Sequence, residues 1–405
     1  MVNSPRDSLI DRMAFVFLWF WILIVPFYNS FITMFPGYPQ SAMNRLPYIA
    51  YFVFFIVLIT KRKDEAQKLN NRSRNLFAAV FFAYILWLIS SCIWSAAQDL
   101  TFNMISYYFQ YNIITVLLVL ALVHDDDQLA ALMNAYVLGS FISVIGTIIS
   151  FKLGIAFGGL TSHRYASLGY NPNDLGLTLA LAIPMALYLA NTRIKSPLRW
   201  LYFLYLPTSF IAILLTASRG AFLSTMVALT YIPLTFSRTK IFPKIMLMFA
   251  LLAISYAVFY FVPKAPLARI STMSNELYWG SLSGRTYIWE TAWGIFRDNP
   301  LIGIGSGAFK EKSSSILGSE QVSHNAFLSA LVELGIVGFI LFAGIIAAIL
   351  SRIKILPPVQ MRLWLVLILT WVVGASFMSW DYYRQTWVLF AMAAAQISIY
   401  EGKTD

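Results

Sequence analysis

Long apolar runs recur from one end of this chain to the other, separated by short polar joints, and few folds accept such a pattern. A helix needs about 20 apolar residues to cross a bilayer. Twelve stretches qualify as candidates: roughly 13–36, 47–60, 75–95, 103–123, 128–152, 173–191, 198–217, 220–236, 241–262, 325–350, 361–378 and 384–400. The second is short and the seventh and eighth nearly touch, so counts of eleven or thirteen stay open. Within each run the apolar residues are continuous rather than alternating. In lipid only helices and closed barrels satisfy the backbone's hydrogen bonds, and an alternating pattern marks the barrel. The expected fold class is therefore an all-α polytopic membrane protein of about 12 transmembrane helices. Charged residues make up only 12% of the chain, half the share of a soluble domain.

The net charge of +11 reads as topology rather than as nucleic-acid binding. With the N-terminus in the cytoplasm, 18 of the 29 lysines and arginines fall on the cytoplasmic side, six of them in residues 61–74. The short loops then obey the positive-inside rule. Both termini are expected in the cytoplasm, and the 60-residue polar segment 264–323 outside it. The first apolar stretch is long enough to be a span rather than a cleavable leader. Three parts follow: 1–263 with spans one to nine, 264–323 as an outer helical segment, and 324–405 with spans ten to twelve and a tail. Span halves show no internal repeat, which speaks against a transporter built from inverted repeats.

The outer segment carries its own helical signal. From Arg285 to Arg297, Tyr287, Ile288, Thr291, Ala292 and Ile295 share one helical face, with Trp289 and Trp293 beside it. Asp298-Asn299-Pro300 ends the pattern, and Gly303, Gly305 and Gly307 make the next stretch rich in turns. The lone cysteine, Cys92, falls in a span, so no disulfide within the chain braces this segment. One cysteine and three scattered histidines give no metal-ligand spacing, and no metal or other cofactor is expected.

Polar groups that could do chemistry gather on the outer side. They are His163-Arg164 with Asn171-Pro172-Asn173, Ser218-Arg219-Gly220 in a tight turn between two spans, Gly284-Arg285, and Ser323-His324-Asn325 where span ten begins. An arginine at an interface ordinarily snorkels to headgroup phosphates. Arg219 fits that reading poorly: it sits between two apolar runs with no acid near it in sequence, and an anionic ligand would satisfy it. Arginine's planar fork grips phosphate oxygens two at a time. Arg219 and Arg285 could thus hold a diphosphate as a leaving group. His324, with Ser323 as the expected helix cap, should be kept neutral by the helix terminus and the arginines. It could then take a proton from an incoming hydroxyl. His163, Arg164, Asn325 and Trp289 are further candidates to line the cavity, while Asn171 and Asn173 shape the turn. Glu333, nine residues beyond His324 and so about 14 Å deeper on nearly the opposite helix face, is read either as a functional intramembrane carboxylate or as a structural contact beside Gly335 and Gly338. Asp381 and Arg384 are expected to pair locally, and His124-Asp125-Asp126-Asp127 to cap a helix.

In this order and spacing, Arg164, Gly169-xAsn171-Pro172-Asn173, Ser218-Arg219-Gly220, Gly284-Arg285-xxx-Trp289, Asn299-Pro300-Leu301-Ile302-Gly303-Ile304-Gly305, Ser323-His324-Asn325 and Glu333-Leu334-Gly335 resemble the O-antigen ligase and polymerase family. The resemblance covers roughly residues 160–345. It implies about twelve spans with a large periplasmic loop between spans nine and ten, in the bacterial inner membrane. It also implies metal-free transfer of a glycan from an undecaprenyl-diphosphate donor at the periplasmic face. The acceptor would be a lipid A-core sugar in a ligase, or another lipid-linked glycan in a polymerase. The family's two essential arginines map onto Arg219 and Arg285, and its histidine onto His324. Many polymerases carry two long periplasmic loops, whereas segment 153–172 is short here, and this leans the reading towards a ligase. One Arg-x10-Gly match, Arg269 to Gly280, is close to chance. A flippase or transporter of lipid-linked sugars and a protein-directed oligosaccharyl ligase are the rival readings. No nucleic-acid partner is expected; membrane lipids are.

Overall fold

The computed structural model describes residues 9–34, 38–60, 72–236, 241–260, 262–272, 275–276 and 280–404. The basic stretch 61–71 and residues 237–240 of the expected cytoplasmic loops lie outside the described residues. The apolar runs fold into helices α1 (Leu9–Ile24), α2 (Tyr28–Met34), α3 (Tyr38–Thr60), α4 (Arg72–Ser90), α5 (Gln98–Tyr107), α6 (Ile114–Leu122), α7 (Asp126–Lys152), α8 (Pro172–Thr192), α9 (Arg199–Thr216), α10 (Arg219–Leu229), α11 (Tyr231–Phe236) and α12 (Ile241–Tyr260). The polar segment supplies α13 (Lys264–Ser271), α14 (Arg285–Asp298) and α15 (Phe309–Leu317). Three more helices close the chain: α16 (Ala326–Arg352), α17 (Pro358–Ala375) and α18 (Arg384–Thr404). No strand occurs among the described residues.

Eight helical stretches among the described residues are long and apolar enough to cross a membrane. The expected twelve are not reached by that measure. In α3 the qualifying apolar stretch is Arg45–Ile59, with Pro47 inside it, in α12 it is Lys244–Tyr256, 220–236 is split between α10 and α11, and α18 is less hydrophobic. Local chemistry sets the helix starts. Asp125 caps α7 by accepting from the Gln128 amide at 2.7 Å, as expected for that acidic run. Asn171 caps α8, with Pro172 in the first turn where its missing N–H costs nothing. Aromatic side chains fill the bundle's centre: Trp364, Trp371, Trp380 and Trp387 are all fully buried. Phe, Ile and Leu side chains on α3 and α12 point outward, as lipid-facing residues do.

The polar segment 264–323 is joined to the bundle through a break in α16. Gly335 adopts φ 68° and ψ −171°, a conformation open in practice to glycine alone. The glycine-rich stretch 300–307 fits into the break. Ile304 N–H donates to Val332 O at 3.1 Å, Gly305 N–H to Glu333 O at 2.8 Å, and Ile336 N–H to Pro300 O at 2.9 Å. The Glu333 carboxylate accepts from Gly307 N–H at 2.7 Å. Glu333 is thus tied to this loop, and it does not line the cavity described below. A Cβ on Gly335 would stand 2.2 Å from Leu301 O, and both groups are backbone. Gly335→Ala should therefore cost about 1–3 kcal/mol in backbone strain, with the clash added. A clear drop in melting temperature in detergent is the expected result, and an unchanged melt would contradict the break.

Candidate active site

A cavity of about 340 Å³ opens where α9 ends and α8, α10 and α16 begin, roofed by α13 and α14. Arg164, Arg219, Arg269, Arg285, Glu276, Asn173 and His324 supply its polar lining; Leu223, Ile288 and Phe377 are among its apolar wall. These residues come from five separate stretches of chain. Arg219 and Arg285 each open a helix, and strained turns aim both of them. Five non-glycine residues among those described have positive φ: His163 (50°), Ala217 (50°), Leu282 (51°), Ser283 (64°) and His324 (48°). Four of them line the cavity, and the fifth directly precedes Arg164. Such a conformation costs about 1–2 kcal/mol per residue, so its confinement to one place marks a site that the surrounding fold holds in shape.

Arg219 follows Ala217 and the cap Ser218, whose Oγ accepts from Ala221 N–H and donates to Asn173 Oδ1 at 2.8 Å. The Arg219 guanidinium donates to Arg269 O at 2.9 Å, Thr272 Oγ1 at 2.8 Å and Ser283 Oγ at 3.3 Å, and meets Glu276 Oε1 at 3.4 Å. No acid lies near this arginine in sequence, and the fold brings Glu276 to it from far along the chain. Arg164 donates from Nε to Thr216 O at 3.2 Å and from Nη2 to Asn173 Oδ1 at 2.8 Å. Asn173 thus joins two arginine-bearing turns. Burial, and then the charges of Arg269 and Arg285, push Arg164 down to about 10. Arg285 is also held at about 10, first by burial; the Asp174 carboxylate opposes that effect, and Arg269 and Arg219 add to it. Asp174 lies behind the cavity wall, accepting from Trp380 Nε1 at 2.9 Å and Tyr383 OH at 2.6 Å.

His324 sits on the cavity wall one residue before the cap of α16. The cap is Asn325, not Ser323: Asn325 Oδ1 accepts from the amides of Phe327 and Leu328 at 3.0 and 3.1 Å. Ser323 Oγ instead donates to Asn325 O at 3.0 Å and lies 3.0 Å from Ser379 Oγ, which also accepts the His324 amide at 2.9 Å. Ser323 is drawn into the turn because His324 takes up the left-handed conformation, leaving Asn325 as the extended residue that a cap requires. Burial, and then the Arg285 cation, lower His324 to about 4, so the imidazole is neutral at pH 7.

The other candidates take different places. Trp289 does not line the cavity; its indole donates to Ser323 O at 2.9 Å and so fixes the strand of backbone that carries His324. Asn325 serves as the cap, and His163 is exposed beside the cavity. Within α14, Ile288, Ala292 and Ile295 are buried as the periodicity predicts, but Tyr287 faces outward. Asp381 and Arg384 do not pair. The Arg384 guanidinium lies 3.7 and 3.9 Å from the ring centres of Tyr28 and Tyr111, while Asp381 accepts from Ser329 Oγ at 3.3 Å. Aromatic faces thus take the place of the carboxylate that the turn was expected to offer. Two charged lining residues were not singled out as site residues from sequence, Arg269 and Glu276. The Arg-x10-Gly match was the one signal that touched Arg269.

No curated protein matches the chain. A family model described as O-antigen ligase matches residues 201–343, which hold Arg219, Arg269, Glu276, Arg285 and His324. The similarity spans 143 of the 405 residues, the stretch that carries most of the cavity's charged lining, while Arg164 lies outside it.

Proposed function

We propose that this protein is a membrane glycosyltransferase that moves a glycan from undecaprenyl diphosphate to an acceptor hydroxyl at the periplasmic face, with a lipid A-core sugar as acceptor. The observation that carries the reading is the convergence of four arginines and one neutral histidine on one cavity. The charges fit. Arg164, Arg219, Arg269 and Arg285 face two carboxylates, Glu276 in the cavity and Asp174 behind it. That leaves an excess of positive charge of the size a diphosphate diester would neutralise. In the reaction the acceptor oxygen attacks the sugar's anomeric carbon, and the bond from that carbon to the donor's phosphate oxygen breaks. The hydroxyl proton passes to His324, and the electron pair leaves on the lipid diphosphate held by Arg219 and Arg285.

His324 and Arg285 are electrostatically coupled, which orders the steps. In the empty site Arg285 helps hold the imidazole a weak base. A bound diphosphate neutralises that cation, so the base strengthens once the donor is in place. Arg164 and Asn173 brace the turn carrying Arg219, and Trp289 braces the turn carrying His324. The charge sorting of the short loops supports termini in the cytoplasm, and the family resemblance supports an inner-membrane location.

Purified protein given lipid-linked glycan and lipid A-core acceptor should yield glycan joined to core. Reconstituted vesicles that move the donor across the bilayer without making a glycosidic bond would instead support the flippase reading and end this one. A deletion strain separates the remaining pair. Long lipid-linked polymer accumulating beside bare core is the ligase outcome; core carrying single repeat units is the polymerase outcome.

A further inference from the structure

We propose that Glu276 is a built-in counter-anion: its carboxylate occupies the Arg219 seat when the cavity is empty, gives way to the donor's diphosphate, and returns to help expel the lipid diphosphate after transfer. The inference rests on the diphosphate-binding reading of Arg219 given above. Every arm of the Arg219 guanidinium is engaged within the protein. Nε and Nη2 are held by Arg269 O and Thr272 Oγ1, and Nη1 by Ser283 Oγ and Glu276 Oε1. A ligand must therefore exchange with something, and the three neutral contacts have no reason to leave an anion's path. Glu276 does: among the described residues it is the one carboxylate lining a cavity with four arginines, and a second anion brought to Nη1 would repel it.

The pair is built loosely enough to exchange. At 3.4 Å it is longer than a tight charge-assisted bond, and the two side chains keep 20% and 27% of their exposure, so water can take over the freed carboxylate. Among the described residues the other Glu276 oxygen accepts from the Ser283 amide at 3.4 Å, in the strained turn 282–284 that leads into Arg285. Glu276 thus touches the supports of both arginines assigned to the diphosphate, and its displacement is felt at both. The carboxylate lowers donor affinity, which a transferase needs, because its product keeps the same diphosphate as its substrate and must leave. It also keeps Arg219 folded into the cavity while no ligand is present, rather than free to reach for headgroup phosphates.

The test titrates inorganic pyrophosphate into full-length protein in non-ionic detergent, free of anionic lipid, and compares wild type, Glu276→Gln, Glu276→Asp and Arg219→Ala, each checked by its melting curve. The proposal expects Glu276→Gln to bind pyrophosphate at least about fivefold tighter than wild type, Glu276→Asp to stay near wild type, and Arg219→Ala to bind weakly. In turnover, Glu276→Gln should show a lower donor KM without a higher kcat, because product leaves more slowly. If Glu276→Gln binds no better than wild type while Arg219→Ala still loses binding, the counter-anion role is overturned and the diphosphate site stands. If Arg219→Ala binds as well as wild type, the diphosphate site itself fails, and Glu276 fails with it.

Discussion

Replacing His324 with alanine lowers glycan transfer by about 10²–10⁴-fold, the range a positioned general base contributes, while pyrophosphate binding at the arginines stays close to wild type. Purified protein with lipid-linked donor measures the first, and the titration described above measures the second. The two readouts separate a base from a structural residue, because a collapsed turn would spoil both. The pH profile adds a third. A base must be deprotonated to act, so activity falls as pH drops through its pKa. In the donor-free protein that limb belongs near 4, where burial and the Arg285 cation hold His324, rather than near the 6.5 of an ordinary histidine. The kcat/KM profile should therefore stay level from pH 8 to about 5. The kcat limb, set with the diphosphate bound, should lie higher. Undiminished transfer by His324→Ala would end the base assignment.

The second large effect concerns the clamp. Arg285→Lys should reduce kcat by about 10²–10³-fold, as the loss of one preorganised donor to a developing charge does. Lysine keeps the charge but loses the planar fork, so donor KM should change far less than kcat. Arg285→Ala has a further signature: without that cation His324 becomes a stronger base in the empty site, and the acid limb of kcat/KM moves up from about 4. A residue that merely snorkelled to headgroups would leave both kcat and the limb in place. Wild-type kcat in Arg285→Lys would remove the arginine from the reaction.

The difference between what the sequence disclosed and what it hid is physical. Helices were legible because lipid demands long apolar runs, and Arg164, Arg219, Arg285 and His324 stood out as charge and imidazole on the side that should be poor in both. Glu276 was hidden by distance: its partnership with Arg219 exists only once α13 folds back over α10. Arg269 sits on a short amphipathic helix where arginine is unremarkable. The Gly335 break was hidden because glycine inside an apolar run reads as helix, and the backbone that fills the gap comes from 300–307. Asp381 and Arg384 misled for the opposite reason: neighbours in sequence, they turn to different partners because Tyr28 and Tyr111, distant in sequence, stack against the Arg384 guanidinium.

The splice of 300–307 into α16 divides the cavity's walls by stiffness. Ile288, Ala292 and Ile295 of α14, Ile304 and Phe309 beyond it, and Val332 of α16 form one small buried core of their own. Arg285 opens one of the two helices that this core welds together and His324 lies one residue before the cap of the other, so the proposed clamp and base share a single anvil. Arg219 belongs to the facing wall and is held there by polar contacts that water can replace. A bulky glycan can then be admitted by yielding on that wall alone, without disturbing the alignment of base and clamp.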